Sequence, residues 1–165
     1  MKIPALHVVL LAVILVQGCG YHLRGQSPQV KAEGGYSIHV SAAAGLLADA
    51  VKSQLAISGV RVTDGIKGAD YVLSMSGGAF ERQVVSVSPQ TGKVEEYLIV
   101  FTARISISEA AGEDLVTGQD IRVSGDYAFD EDAALGKFSE EETIREELIE
   151  QAAAQIIRRL NTLAN

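Results

Sequence analysis

From residue 71 to residue 129 the apolar side chains recur at every second position, and they do so through three long stretches. Tyr71, Leu73 and Met75 alternate, Gly77-Gly78 interrupts, and Val85 and Val87 resume. A glycine pair inside a strand pattern marks a bulge or bend rather than a domain boundary. After the turn Ser88-Pro89-Gln90-Thr91-Gly92-Lys93, the stretch 95–108 sets Tyr97, Ile99, Phe101, Ala103, Ile105 and Ile107 on one side. Ala111-Gly112-Glu113-Asp114 turns the chain again, and 115–129 places Ile121, Val123, Tyr127 and Phe129 together. Residues i and i+2 share a face of a strand. Three such stretches joined by short turns predict an antiparallel meander with one apolar face that needs a cover.

Two helical segments can supply it. A strand at 36–40 precedes a helix over about 43–58, with Leu47, Ala50, Val51 and Leu55 at helical spacing, Ser41 as its cap and Gly59 as its stop. Val60-Arg61-Val62 reads as a short extended piece, and 64–69 as a loop. Near the other end Ser139-Glu140-Glu141-Glu142 has the form of a capping box. Ile144, Leu148, Ala152, Ile156 and Leu160 then recur every fourth residue, and Arg158 and Arg159 suit the negative end of a helix dipole. The order β-α-β-β-β-α predicts an α+β two-layer sandwich, with two helices packed on one face of a four-stranded, mostly antiparallel sheet. The other face carries Leu98, Val100, Thr102, Arg104 and Ser106. It is either a docking surface or a solvated face with a few strand-forming aliphatics.

The first residues predict export. Lys2 supplies a positive n-region, and 8–16 (VVLLAVILV) is an apolar run too short to span the roughly 30 Å of a bilayer core as a helix. The run ends in Val16-Gln17-Gly18-Cys19, which resembles a lipobox, with Gly before the cut and an aliphatic two residues further back. Cys19 is the sole cysteine, so no intramolecular disulfide can form. Residues 1–18 are expected to be a lipoprotein signal peptide, and Cys19 the lipidated first residue of the mature chain. Residues 19–35, rich in Gly, Gln and Ser, form a tether to one domain at 36–165. Two or more acyl chains on Cys19 give firm anchoring where one gives only marginal binding.

Charge and motifs exclude several functions. Lys and Arg number 14 against 21 Asp and Glu, a net charge of −7 that loss of Lys2 makes more negative. That balance argues against a nucleic-acid partner, whose phosphates need a basic face. Once His7 leaves with the signal peptide, His22 in the tether and His39 in a strand remain, and His39 reads as structural. There is no nucleophile elbow, no H-E-x-x-H, and no calcium-loop spacing in Asp130-Glu131-Asp132 or Glu140-Glu141-Glu142. No catalytic residue, metal or cofactor is expected. Arg82, Lys93, Arg104 and Lys137 are either donors for phosphate groups of an anionic lipid or the ordinary cations of a solvated surface.

Several segments together resemble the LptE family of lipopolysaccharide-assembly lipoproteins, also called rare lipoprotein B. Cys19-Gly20-Tyr21-His22-Leu23-Arg24-Gly25 carries the family's C-G-[aromatic]-H-L-R pattern. Residues 46–62 look like its first helix and following strand, 92–107 (GKVEEYLIVFTARISI) like its G-x-x-x-E-Y hairpin segment, and 133–160 like its last helix with the A-L-x-K lead-in. The resemblance implies a non-enzymatic protein anchored on the periplasmic face of the outer membrane, where Gly20 after the cysteine favours sorting. It implies a plug and assembly partner inside the LptD β-barrel that binds lipopolysaccharide in transit to the outer leaflet. Of the family's lipopolysaccharide-binding positions, one matches Lys137 and the other falls at the 89–93 hairpin tip, on Gln90 with Lys93 close by. Outside the family, the expectation is another outer-membrane lipoprotein of envelope assembly or cell-wall binding, without catalysis.

Overall fold

A computed structural model describes residues 35–42, 45–129 and 134–164, with side chains for all of these but 42 and 134–139. The chain runs β1 (Ser37–Ala42), α1 (Leu46–Ile57), β2 (Arg61–Thr63), β3 (Tyr71–Val87), β4 (Val94–Glu109), β5 (Asp114–Ala128) and α2 (Ala134–Leu163). The class is α+β as expected, but the sheet has five strands in the order β2-β1-β3-β4-β5. It is mixed rather than mostly antiparallel. β1 pairs in parallel with both β2 and β3, whereas β3, β4 and β5 form the expected antiparallel meander.

The extra strand is the extended piece after α1. β1, α1 and β2 make a crossover unit, in which the helix carries the chain back so that the next strand lies parallel beside the first. From β2 the chain must then pass β1 again to begin β3. It does so across the start of β1, where Ser37 is 3% exposed. Its N–H and hydroxyl donate to Asp70 Oδ2 at 2.7 and 2.8 Å, the hydroxyl lies 2.9 Å from the Gly68 carbonyl, and Asp70 N–H donates to Ser37 O at 2.9 Å. These bonds hold a short connector in place of a second helix.

β3 and β4 pair along almost their whole lengths, from Tyr71 with Glu109 to Val87 with Val94. The register slips between Gly77 and Ala79, so the glycine pair is a bulge as expected. Both glycines have positive φ, 77° and 97°, a region costly for residues with a Cβ.

α1 and α2 cover one face, and the core lies between. Ile38, Val51, Leu55, Leu73, Ile99, Phe101, Ile105, Ile107, Ile121, Leu148 and Ile156 are all within 1% of complete burial. Burying each such side chain contributes about 1.5–3 kcal/mol. Both helix starts differ from the sequence reading. α1 begins at Leu46 behind Gly45, with no side-chain cap. Ser41 is part of β1, opposite Ser74, and so cannot cap it. α2 begins five residues before Ser139, because Ala134-Leu135-Gly136-Lys137-Phe138 contains good helix formers that extend it backward. Ser139 therefore lies inside the helix rather than at its N-terminal cap position. The uncovered face contains one surprise, since Val100 on central β4 is 1% exposed, flanked by Glu81 of β3 and Ser124 of β5.

Candidate functional site

The 88–93 turn is closed by backbone bonds from Ser88 N–H to Lys93 O at 2.7 Å and from Gly92 N–H to Ser88 O at 2.8 Å. Within it the Ser88 hydroxyl donates to Gln90 Oε1 at 3.2 Å, and Lys93 N–H donates to Thr91 Oγ1 at 3.3 Å. Gln90 and Lys93 are exposed at the tip. Strand register decides what lies near. Tyr97 of β4 is opposite Tyr127 of β5, and Phe129 N–H donates to Glu95 O at 2.9 Å. β5 thus ends beside the start of β4, and α2 begins six residues later. The hairpin tip and the first turn of α2, which includes Lys137, occupy the same end of the sheet. The Lys137 side chain and Cys19 lie outside the described residues.

Beneath that end is a cluster that the sequence reading did not find. Glu141 of α2 accepts hydrogen bonds from Tyr127 Oη at 2.8 Å, Arg145 Nη2 at 2.6 Å and Nε at 3.1 Å, and Arg82 Nη1 at 3.3 Å. The Arg82 guanidinium stacks 4.7 Å from the Tyr97 ring centre, and that of Arg145 4.8 Å from Phe80. Tyr97 also meets Tyr127 and Phe129, at centroid distances of 5.7 and 5.2 Å. Burial works to raise the Glu141 carboxyl, but the bonds from Arg145 and Tyr127 and the two arginine charges outweigh it and hold it below its ordinary value. Burial, then the bond to Glu141, push the Tyr127 hydroxyl up. The i, i+4 spacing of Glu141 and Arg145 was readable in the sequence. Their meeting with Arg82 and Tyr127 was not, because it depends on how α2 crosses the meander.

This cluster reassigns two cations. Arg82 is engaged with Glu141, and Arg104 with Asp120 at 2.7 and 3.2 Å. Neither guanidinium is a ready phosphate donor. His39 is structural in the way expected, its Nδ1–H donating to Thr63 O at 3.1 Å. Among the described residues, no three His, Cys, Asp or Glu side chains converge to hold a metal. No described helix is long and apolar enough to cross a membrane. Among the described residues, this end of the sheet presents exposed Gln90 and Lys93 near the Arg82–Glu141–Arg145 cluster.

A family model described as lipopolysaccharide-assembly, LptE, matches residues 36–160, the whole sheet and nearly all of both helices. The chain belongs to the LptE family. It is 35% identical over 155 residues to the LPS-assembly lipoprotein LptE of Pectobacterium atrosepticum, covering 93% of this chain and 82% of the relative. Identity to that of Photorhabdus laumondii is 33%, covering 94% and 84%. The crystal structure of rare lipoprotein B from Shewanella oneidensis superposes with a TM-score of 0.68 at 25% identity, over 77% of this chain and 95% of that one. Lipoprotein B from Nitrosomonas europaea, at 22% identity, shares the fold with a TM-score of 0.70 over 88% and 92%. As a member of this family the protein is a non-catalytic envelope lipoprotein of lipopolysaccharide assembly.

Proposed function

We propose that the protein is anchored through Cys19 on the periplasmic face of the outer membrane, sits as a plug within the LptD β-barrel, and binds lipopolysaccharide passing to the outer leaflet. The observation that carries this reading is the family match over residues 36–160, which takes in the sheet, the hairpin and the first turn of α2. The physical requirements of the role agree with it. A plug must hold its shape in a hydrated lumen, and here two helices lock a sheet whose largest core side chains are fully buried. Ligand phosphates need cationic donors. Lys93 at the exposed hairpin tip and Lys137 in the first turn of α2 share one end of the molecule, with Gln90 beside Lys93. The Arg82–Glu141–Arg145 lock keeps the elements bearing them in register.

Purification of the full chain from outer membranes tests the reading. A large β-barrel protein should copurify in near-stoichiometric amount. A chain recovered alone under conditions that preserve other barrel complexes would rule out the plug.

A further inference from the structure

The chain enters its sheet on an internal strand. β1 lies between β2 and β3, bonded in parallel to 61–63 through Ser37, Ile38 and His39 and to 71–75 through residues 38–42. Further contacts gather where the chain joins that strand. Ser37 is 3% exposed. Its N–H and hydroxyl both meet Asp70 Oδ2, at 2.7 and 2.8 Å, and its carbonyl and hydroxyl face the Asp70 N–H at 2.9 and 3.2 Å. Asp70 is itself pinned, since its carbonyl accepts from Ala110 N–H at 2.9 Å, just past the end of β4. Tyr36, 8% exposed, donates its hydroxyl to Asn161 Oδ1 of α2 at 3.2 Å and meets the Tyr71 ring edge-on at 5.6 Å. Two consecutive residues thus grip the start of β3, the connector before it and the last turns of α2.

We propose that Tyr36 and Ser37 form a mechanical clamp, through which the domain bears pull on its N-terminal side without losing β1. The direction of load decides this. β1, β2 and β3 all run the same way, and the hairpin tip at 88–93 lies toward the far end of that direction. A pull on the start of β1 against the hairpin end therefore runs along the strands and loads both ladders in shear. Bonds loaded in shear share the force and must yield together, whereas a strand peeled sideways gives them up one at a time. An edge strand has one ladder to share the load, and β1 has two. Burial of Ser37 adds to the threshold, because water has little access to replace its bonds as they stretch. Resistance of this kind is set by the rate of escape from the folded state, not by equilibrium stability. The clamp draws its use from the anchoring through Cys19 proposed above, since an anchored domain that is also held by a partner is pulled from two sides.

Single-molecule pulling on the unlipidated full chain tests the clamp, so that clamp and anchor stand or fall separately. Cys19 is the sole cysteine and takes one handle, and Thr91→Cys in the exposed hairpin turn takes the other. Ser37→Ala should lower the unfolding force between these handles by at least a third at equal loading rate. With Cys19→Ser and handles at Thr91→Cys and Asn165→Cys, the same substitution should leave the force unchanged, because that path bypasses the start of β1. Asp70→Ala, at an exposed position, breaks the same side-chain contact and is read in the same two directions should Ser37→Ala fail to fold. An equal fall along both paths makes Ser37 an ordinary stabilising residue and overturns the proposal. An unchanged force between residues 19 and 91 overturns it as well.

Discussion

Tyr127, near the end of β5, donates its hydroxyl proton to Glu141 of α2 at 2.8 Å, and that hydrogen bond ties the last strand to the helix crossing it. The Tyr127 ring is 4% exposed and the Glu141 side chain 14%, so water competes weakly for either group. Tyr127→Phe keeps the packing and removes the bond, and should cost about 1 kcal/mol. Glu141→Ala strands the hydroxyl together with two guanidinium groups, and should cost about 2–3 kcal/mol. Urea unfolding followed by circular dichroism measures both. A Glu141→Ala midpoint equal to that of the parent would show the cluster to be ornamental.

The same carboxyl predicts an acid sensitivity. Glu141 is held below its ordinary value in the fold, so the folded chain keeps it charged where the unfolded chain would protonate it. Its contribution is complete above the ordinary glutamate range and is lost as pH falls through the lowered folded value. Glu141→Gln should therefore flatten the decline in stability between about pH 5 and pH 3. Thermal melts across that window decide it, and parallel curves for parent and variant would sink the idea.

Close approach of α2 to β5 makes a second, sharper prediction. A Cβ placed on Gly125 would stand 3.2 Å from Ile144 Cγ2 and 3.8 Å from Leu148 Cδ2. Ile144 is part-buried and can shift by a few tenths of an ångström, so Gly125→Ala should cost about 1 kcal/mol. Gly125→Val has branches with nowhere to go and should cost about 2–3 kcal/mol. Both are read from denaturation midpoints, and a stabilising Gly125→Val would mean that the helix is not seated as described.

Charge reversal tests the ligand proposal. Lys93→Glu with Lys137→Glu should weaken lipopolysaccharide binding at least tenfold, with an unchanged circular dichroism spectrum, because two cationic donors become repulsive to phosphate. Gln90→Ala should cost less, as a neutral amide offers weaker bonds than a charged donor. Arg104→Glu should leave binding unaltered, since Arg104 is already paired with Asp120. An equal loss in Arg104→Glu would point to a diffuse charge effect.

The parts of the molecule that were legible are those whose signal repeats locally. Ile99, Phe101, Ala103, Ile105 and Ile107 spell out a strand, and Ile144 through Leu160 a helix, because each residue confirms its neighbour. The piece after α1 was legible as extended, but its place in the sheet was not, since three residues are too few to display a period. The start of α2 was hidden for another reason. Ser139-Glu140-Glu141-Glu142 has the chemistry of a cap, but the helix-forming residues before it propagate the helix past the signal. At the candidate site, the hairpin turn was plain from Ser88-Pro89 and Gly92. The engagement of Arg82 by Glu141 was not, because those residues are 59 positions apart and only the crossing of α2 over the meander joins them.

Placing β1 between β2 and β3 has a kinetic consequence. The β3–β4 hairpin closes between Val87 and Val94, seven positions apart, whereas β1 bonds to residues 24 and 33 positions downstream in β2 and β3. Contacts near in sequence form before distant ones, since they surrender less loop entropy. The meander is therefore the natural nucleus, and the N-terminal strand, although made first, is the last to be inserted. Until then the chain presents β3 bare along its full length. The interval before β1 docks is the window in which the chain is most exposed to aggregation and proteolysis.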